Sequence, residues 1–340
     1  MNRIAVVILN YNGEKLLKQF LPSVIANSGG VDIYVADNGS KDSSVFMLEA
    51  EFPGVRRILL KENYGFCGGY NRALKEVDAA YYVLLNSDVE VTPGWLEPMA
   101  RLLDGDDRIA AVQPKILSYS RRSYFEYAGA GGGFIDQYGY PFCRGRLFER
   151  VEQDIHQYDD TRPVFWGSGA CLMIRSGVFT TFGGFDEDFF AHMEEIDLCW
   201  KIQRAGLSVY YCGSSTVYHL GAGTLGYHSP RKAFLNFRNG LTMMVKHYST
   251  GWLITRLPVR IVLDWVAGLM FLVKGKPRVT LAVLRAHVAF VENISGTLRK
   301  RKSIQRAYSS YPRDLIFPGL ALLHTIVGSR KLMDWPNNPR

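Results

Sequence analysis

The chain has 340 residues, of which 47% are hydrophobic and 21% are charged, and its net charge is +8. A chain of this length and composition can bury a sizeable core, which excludes a wholly disordered protein. The basic run at 299–306 suits anionic lipid headgroups or nucleic acid, although a solvated helix face has the same composition.

The cysteines are widely spaced, and no Cys-x-x-Cys pair occurs among Cys67, Cys143, Cys171, Cys199 and Cys212. An odd number at such spacings argues against a disulfide framework or a zinc knuckle and favours a reducing compartment. The first residues pass directly into a strand-like run, so we expect no secretory signal peptide and a cytoplasmic protein.

Strand-like and helix-like segments alternate from the N-terminus. Apolar and β-branched runs predict strands at 4–9, 31–36, 55–59 and 80–85, and helical periodicity predicts helices at 14–26, 43–51 and 69–77. This order predicts an α/β fold with a mainly parallel sheet and helices on both faces. Ligands of such sheets bind beyond the carboxyl ends of the strands. Polar motifs follow three of the predicted strands, at 10–13, 37–40 and 86–88.

The middle of the chain, 115–165, is irregular and rich in glycine and polar residues. We interpret it as a long loop region that could move over a site. Regular patterns return with a predicted strand at 164–174, a helix at 193–205 and a strand at 207–212.

From residue 230 the chain is helical in character, with a predicted helix at 232–248 and apolar runs at 252–273, 279–294 and 315–327. The first apolar run carries Arg256, Arg260 and Asp264, whose four-residue spacing puts them in one polar stripe of a helix. Inserting these charges into a bilayer would cost about 2.5–3.5 kcal/mol each. A helix lying in the membrane surface therefore fits better than a span. A helix packed on the rest of the protein is the alternative.

Three polar motifs carry candidate binding chemistry. Asp37 can accept hydrogen bonds from a ribose or base, although Asp-Asn-Gly is also ordinary turn chemistry. The segment 63–71 places three glycines at a strand-to-helix junction, where backbone amides can approach a phosphate, and a tightly packed helix start is the alternative. Asp88 follows an apolar strand, where a divalent cation could join it to a diphosphate; a plain turn residue is the alternative.

The helix predicted at 193–205 opens with carboxylates. Helical spacing places Glu195 on the inward apolar face and groups Glu194, Asp197 and Lys201 on the neighbouring face, where they can pair. An inward carboxyl is desolvated, so its pKa rises towards values that suit a general base. The alternative is a simple interaction of acidic residues with the helix dipole. His219 can ligate an Mn²⁺-type ion if Asp88 lies near it, although a lone histidine is more often structural.

Taken in order, seven segments resemble the family 2 glycosyltransferases, especially their bacterial rhamnosyltransferase-like branch: 8–13, 36–40, 63–71, 84–88, 167–171, 185–200 and 218–221. The resemblance extends more loosely to Arg238, Asn239 and the apolar helices. It implies a GT-A nucleotide-diphospho-sugar transferase fold. The catalytic domain would span 1–228, and a helical, membrane-associated C-terminal region would span 229–340.

The resemblance also implies site residues. The donor site would comprise Asn10, Tyr11, Asp37, Asn63, Gly65, Ser87 and Asp88, and the acceptor site would comprise Trp166, Ser168, Gly169 and Glu194. Tyr11 and Asp37 would hold the base and ribose of a nucleotide sugar. Asp88 and His219 would bind Mg²⁺ or Mn²⁺, and Glu195 would be the general base. Two positions depart from the family pattern, since Asn86 replaces the first aspartate of the DXD motif and Glu195 replaces the second residue of the ED motif.

The expected function is inverting transfer of a sugar from a nucleoside-diphosphate donor, with dTDP-L-rhamnose as the expected donor. The acceptor would be a saccharide or a polyprenyl-diphosphate-linked saccharide of cell-surface polysaccharide synthesis. The protein would lie on the inner face of the cell membrane and bind no nucleic acid. The two departures leave a second hypothesis open, a non-catalytic GT-A-like scaffold in a membrane polysaccharide assembly complex.

Overall fold

The structure is a computed structural model that describes residues 2–147, 150–221 and 229–327. The strands of the described residues are β1 Asn2–Asn10, β2 Asp32–Asp37, β3 Arg56–Leu59, β4 Ala79–Asn86, β5 Val89–Val91, β6 Ile109–Ser118, β7 Gly133–Asp136, β8 Pro141–Cys143, β9 Arg146–Leu147, β10 Arg150–Val151, β11 Thr161–Val164, β12 Cys171–Arg175, β13 Ser208–His219 and β14 Ile316–Phe317. The helices are α1 Glu14–Asn27, α2 Ser44–Glu51, α3 Gly65–Ala73, α4 Leu96–Gly105, α5 Ser176–Thr181, α6 Glu194–Arg204, α7 Pro230–His247, α8 Thr250–Val273, α9 Pro277–Glu292, α10 Ile294–Ala307 and α11 Ala321–Val327.

The larger sheet has the strand order β11-β13-β6-β12-β4-β1-β2-β3, and β5 pairs with β13. β1 lies parallel to β2 and β4, β2 lies parallel to β3, and β6 lies parallel to β13. In β1 every side chain from Ile4 to Ile8 is buried, as in parallel strands that helices cover on both faces. The predicted α/β fold with a mainly parallel sheet is confirmed.

β12 lies antiparallel between β4 and β6. Its direction brings the preceding segment, 165–170, to the carboxyl end of β4. The single strand predicted at 164–174 is therefore wrong, because β11 ends at Val164 and β12 begins at Cys171. The two strands pair with different neighbours, β13 and β4, so the chain must turn between them.

The region predicted as a long loop, 115–165, contains the end of β6, β7 to β10 and β11. β7 to β10 form a second sheet with β14, in the order β10-β9-β8-β7-β14. The loop prediction is wrong because strands of two to four residues are too short to show a period. The edge strand β14 comes from the C-terminal region. Gly133 packs against the Trp166 indole, where a Cβ atom would lie 2.2 Å from the ring.

Two predicted helix bounds also change. α3 begins at Gly65 rather than at residue 69, because the amides of Phe66 and Cys67 donate to the carbonyl oxygen of Phe190 at 2.8 and 3.2 Å. The apolar run at 315–327 is divided into β14 and α11. The amide of Ala321 at the start of α11 donates to the buried carboxylate of Asp136 at 3.0 Å.

In the C-terminal region α7 packs against α9 and α10, and α8 packs against α9. The polar stripe of α8 faces the second sheet. Arg260 donates to Asp264 Oδ1 and to the carbonyl oxygen of Tyr138 at 2.8 and 2.9 Å. Tyr140 donates to Asp264 Oδ1 at 2.7 Å, and the Arg260 guanidinium lies 3.8 Å from the centroid of its ring. Residues 222–228, which adjoin the predicted domain boundary, lie outside the described part of the chain.

The opposite face of α8 and the outer face of α9 are apolar and exposed. This apolar face comprises Ile254, Val259, Val262, Trp265, Val266, Leu269, Met270, Leu272, Val273, Leu281, Leu284, Val288 and Val291. Within the three described stretches, no helix combines the length and apolarity needed to cross a bilayer.

We predict that Asp264→Ala lowers the free energy of unfolding by about 3–5 kcal/mol, because it leaves the buried Arg260 guanidinium unpaired. Replacing both partners, as in Arg260→Met with Asp264→Leu, should recover most of this loss. Urea unfolding measures the effect, and Asp107→Ala is the control because its side chain is fully exposed. A single variant as stable as the control would contradict the prediction.

Candidate active site

Several of the predicted site residues meet at one edge of the larger sheet. The register pairs Asn10 with Asp37 at the carboxyl ends of β1 and β2, and it pairs Leu9 with Asn86 across β1 and β4. The turn before β12 reaches the same edge, since the amide of Asn86 donates to the carbonyl oxygen of Ala170 at 3.0 Å. Strand direction therefore assembles these polar side chains beyond the sheet, where ligands of open α/β sheets bind.

Asn10 and Asp37 form a buried pair. The Asn10 amide donates to Asp37 Oδ1 and to Ser40 Oγ at 3.0 and 3.2 Å, and Asp37 Oδ2 accepts from the amide of Ser40 at 2.9 Å. Asp37 thus closes the turn after β2, which agrees with the alternative interpretation of Asp37 as a turn residue. Asn10 Oδ1 is buried and has no hydrogen-bond partner among the described residues, so it is a free acceptor at this edge. Tyr11 follows with 39% of its surface exposed.

The glycine-rich segment is closely packed. Asn63 Oδ1 accepts from the amide of Gly65 at 2.8 Å and from the side chain of Asn38 at 3.2 Å. Gly65 has a φ of +72°, and a Cβ atom there would lie 2.6 Å from the Phe190 ring. The alternative of a tightly packed helix start therefore accounts for Gly65. The role of Asn63 and Gly65 in donor binding stays a prediction.

Asp88 and His219 lie together, as the predicted metal site requires. Asp88 Oδ1 is 3.1 Å from His219 Nε2, and Glu126 Oε2 is 3.2 Å from His219 Nδ1. Burial opposes ionisation of Asp88 and His219, but each charge stabilises the other. Asp88 and then Glu126 raise the pKa of His219 to about 10, and His219 lowers the pKa of Asp88. Ser87, between Asn86 and Asp88, is half-buried.

The donor set of this cluster fits a divalent cation of the Mg²⁺ or Mn²⁺ type. Neighbouring ligands about 2.0–2.1 Å from an octahedral ion lie about 3 Å apart, and Asp88 Oδ1 and His219 Nε2 have that separation. A bound cation would replace the proton that these two atoms share. A carboxylate behind the imidazole, here Glu126, is the usual orienting group of a metal-bound histidine. No group of three or more potential metal ligands is found among the described residues. The remaining ligands would therefore be phosphate oxygens and waters, as is common for Mg²⁺.

Glu194 and Glu195 open α6, and the Oε2 atom of each is buried without a hydrogen-bond partner among the described residues. Burial raises the pKa of Glu195 to about 7, although backbone amides of Ile196 and Gly169 oppose the rise. Burial and the charge of Glu195 raise the pKa of Glu194 well above its ordinary value. Cys67 and Cys199 also interact electrostatically with Glu195. The predicted inward, desolvated position of Glu195 agrees with this geometry.

The pairing predicted among the neighbouring charges differs in the structure. Asp197 is paired with Lys246 Nζ at 2.7 Å and His247 Nε2 at 2.8 Å, both on α7. Lys201 donates to the carbonyl oxygen of Phe182 at 3.1 Å. Helical spacing alone suggested local partners for Asp197, and α7 supplies others because it packs against α6.

The segment before α6 has an unusual backbone. Phe190, His192 and Met193 have φ values of +64°, +67° and +73°, in the left-handed region that residues other than glycine rarely occupy. Such residues cost on the order of 1–3 kcal/mol each and persist only where the surroundings fix them. The 186–193 segment is therefore held in place by other parts of the molecule.

Three of the four predicted acceptor residues lie in the turn between β11 and β12, and the fourth, Glu194, opens α6. Trp166 is buried, and its indole donates to the carbonyl oxygen of Phe134 at 2.9 Å. Ser168 is buried, its amide donates to Gln113 at 2.8 Å, and its hydroxyl accepts from the amide of Ala170 at 3.1 Å. A Cβ atom added at Gly169 would lie 3.2 Å from the ring of Phe66. Their acceptor role stays a prediction.

Residues that contact the site from distant segments were missed. Glu126 lies in the region predicted as loop, and Lys246 and His247 lie in the C-terminal region. No local sequence signal marks these three. Asn239 was noted only as part of a loosely similar tail.

Comparison with known proteins identifies a matching family. The family model described as glycosyl transferase family 2 matches residues 5–181. The N-acetylglucosaminyl-diphospho-decaprenol L-rhamnosyltransferase of Mycobacterium tuberculosis is 26% identical over 273 residues, which are 76% of this chain and 88% of that protein. The rhamnosyltransferase WbbL of Escherichia coli K12 is 23% identical over 223 residues, which are 64% of this chain and 83% of that protein.

Solved structures show the same fold at low identity. The mannosyltransferase PcManGT from Pyrobaculum calidifontis, in complex with GDP-Man and Mn²⁺, has a TM-score of 0.53 at 15% identity, covering 90% of this chain and 85% of that chain. GalNAc-T7 with UDP, GalNAc and Mn²⁺ has a TM-score of 0.55 at 15% identity, covering 72% of this chain and 48% of that chain.

Proposed function

The chain belongs to glycosyl transferase family 2 and is a glycosyltransferase with the GT-A fold, and from this premise we propose that it transfers a sugar with inversion from a nucleoside-diphosphate donor to an acceptor hydroxyl. The observation that carries the proposal is the buried Glu195 carboxyl at the edge of the sheet, with its pKa raised to about 7. A base with such a pKa is partly ionised at neutral pH and can still accept a proton effectively. This favours an enzyme over the scaffold hypothesis.

The proposed reaction is a single displacement. The acceptor oxygen attacks the anomeric carbon as the Glu195 carboxylate takes its proton. The bond from the anomeric carbon to the diphosphate oxygen breaks, and the nucleoside diphosphate leaves with the electron pair from the opposite face. Attack opposite to departure inverts the anomeric configuration. Burial and the Glu195 charge raise the pKa of Glu194 well above its ordinary value, which disfavours a second negative charge beside the base.

The donor site is proposed at the carboxyl ends of β1, β2 and β4. Asn10 Oδ1 offers a free acceptor there, and Asp37 is fixed by Asn10 and Ser40. Tyr11 is exposed beside them and can cover a base. Asp88 and His219 would hold Mg²⁺ or Mn²⁺, which when bound supplies positive charge against the diphosphate.

dTDP-L-rhamnose is the proposed donor, and a polyprenyl-diphosphate-linked saccharide of cell-envelope polysaccharide synthesis is the proposed acceptor. The support is the two rhamnosyltransferases among the relatives, one of which is named for a diphospho-decaprenol substrate. A screen of nucleotide sugars that measures release of the nucleoside diphosphate, with membrane lipid extract as acceptor, tests both assignments.

The proposed domains are a catalytic domain at 1–228 and a helical region at 229–340 that lies on the cytoplasmic surface of the membrane. The apolar face of α8 and α9 supports this location. It is exposed, whereas the polar stripe of α8 is turned inwards onto the second sheet. Arg299, Lys302 and Arg306 are exposed on α10 and can contact anionic headgroups. A helix pair with one apolar and one polar face is typical of proteins that lie in a membrane interface.

We predict that Glu195→Gln abolishes transfer and leaves the Kd for the nucleotide sugar within about threefold of the wild type, because the amide cannot accept the proton but has a similar shape. For the wild type, kcat/KM should fall as the pH drops through about 7, the pKa of Glu195. Nucleoside diphosphate release and calorimetry measure the two effects. Normal turnover by the variant would refute the base assignment.

A stability measurement serves as a control that needs no substrate. The folded-state pKa of Glu195 is raised, so the stability it contributes is present below its unfolded pKa and is lost as the pH rises through about 7. Relative to the wild type, Glu195→Gln should therefore be more stable at pH 8 than at pH 5.

Asp88→Asn and His219→Ala should each weaken Mn²⁺ binding in the presence of the nucleoside diphosphate by about 10–100-fold or more, because each removes one proposed ligand. Calorimetric titration with Mn²⁺ measures the affinity. Asp107→Asn, at a fully exposed side chain, is the control. Wild-type Mn²⁺ affinity in both variants would show that the cation is held elsewhere.

The double variant Trp265→Glu with Leu269→Glu should bind vesicles of mixed neutral and anionic phospholipid at least about tenfold more weakly, since one large apolar side chain contributes about 1.5–3 kcal/mol on burial. Co-sedimentation with the vesicles measures binding. Phe46→Glu is the matched control, because Phe46 is a similarly exposed apolar side chain on α2. Wild-type protein that never sediments with vesicles would contradict the membrane proposal.

A further inference from the structure

We propose that Asn239 of α7 is a positioning residue that fixes the backbone of the 186–193 segment and thereby places the carboxyl of Glu195. The inference rests on the proposed function of Glu195 as the base. It assigns to the C-terminal region a part in the transfer step, in addition to its proposed contact with the membrane.

The contacts of Asn239 converge on this segment. Its side-chain amide donates to the carbonyl oxygens of Phe189, Ala191 and His192 at 3.1, 3.0 and 2.7 Å. Two N–H groups thus serve three acceptors, and one of them is shared. The side chain is fully buried, so water does not compete for these carbonyl groups.

Neighbouring groups complete the hold on the segment. Arg238 donates to Asn239 Oδ1 at 2.9 Å, which orients the amide, and to the carbonyl oxygens of Asp188 and Phe189 at 2.8 and 3.0 Å. From the other side, the amides of Phe66 and Cys67 donate to the carbonyl oxygen of Phe190. The side chain of Asn239 therefore donates to carbonyl groups on both sides of Phe190.

The position of Glu195 depends on this hold because left-handed residues precede it directly. Asn239 holds the carbonyl groups of Phe189, Ala191 and His192, which lie beside or among the strained residues. Without these bonds the positive φ values of this stretch would relax towards commoner conformations. Relaxation would turn the first residues of α6 and admit water to the carboxyl of Glu195. Glu194, Cys67 and Cys199 interact electrostatically with that carboxyl, and none of these three carries a positive charge that would hold it in place.

A positioning role differs from a plain structural role in what it changes. A displaced base lowers kcat, whereas the proposed donor residues Asn10, Tyr11 and Asp37 lie outside the 186–193 segment, so the KM for the donor is preserved. Water that reaches Glu195 lowers its pKa, so the acid limb of the pH profile of kcat/KM moves to lower pH. A variant that merely destabilises the fold lowers Tm and moves neither quantity.

The test compares Asn239→Ala and Asn239→Asp with Leu241→Ala, a buried apolar control on the same helix that packs against Val245 and Phe290. Asn239→Asp preserves the shape of the side chain and removes its donors, so it keeps the test valid if the alanine variant folds poorly. We expect both Asn239 variants to lose on the order of 100-fold in kcat, to keep the KM for dTDP-L-rhamnose within about threefold and to shift the acid limb to lower pH. Leu241→Ala should lower Tm with kcat per folded molecule near the wild-type value.

Wild-type kcat and pH profile in both Asn239 variants would overturn the positioning role, as would the same kcat loss and the same pH shift in Leu241→Ala. Failure of the base assignment gives a different result, since Glu195→Gln would then turn over normally, whatever the Asn239 variants do. If Glu195→Gln is inactive and the Asn239 variants are normal, Glu195 is the base and Asn239 does not place it.

Discussion

The left-handed backbone of Phe190, His192 and Met193 is the constraint on which the rest of the candidate active site depends. Local preferences oppose this conformation at three of the four residues that precede α6. It is maintained by donors from two separate parts of the chain, the first amides of α3 and the side chains of Arg238 and Asn239 on α7. Glu195 follows these residues as a half-buried side chain whose Oε2 atom is buried.

A buried ionic network also stabilises the segment before α6 and the start of α6. Lys246 bonds both Asp186 and Asp197 at 2.7 Å, and Lys300 of α10 also contacts Asp186. Burial would raise the pKa of Asp197, but Lys246 and His247 hold it far below its ordinary value. Burial lowers the pKa of His247 to about 4, so the histidine is a neutral partner. The inner faces of α7 and α10 thus belong to the architecture of the site, while α8 and α9 present the apolar face outwards.

Sequence patterns predicted the local features well and the distant ones poorly. Long buried strands such as β1 and helices such as α1 show their periods directly, and the motifs after β1, β2 and β4 meet because parallel strands share an edge. The small second sheet was missed, because its strands are short and β14 comes from the far end of the chain. Glu126, Asn239 and Lys246 reach the site only through tertiary packing. The spacing of residues along the sequence cannot predict such contacts. Asp88 and His219 lie together, as the metal site implied by the family resemblance requires, and the register of β13 against β5 explains why they meet.

The stereochemistry of the first product is the most direct test of this account. If Glu195 deprotonates the acceptor in a single displacement, NMR of the glycoside formed from dTDP-L-rhamnose should show the anomeric configuration opposite to that of the donor. A product with the configuration of the donor would contradict the account, because retention requires two displacements or attack from the face of the leaving diphosphate.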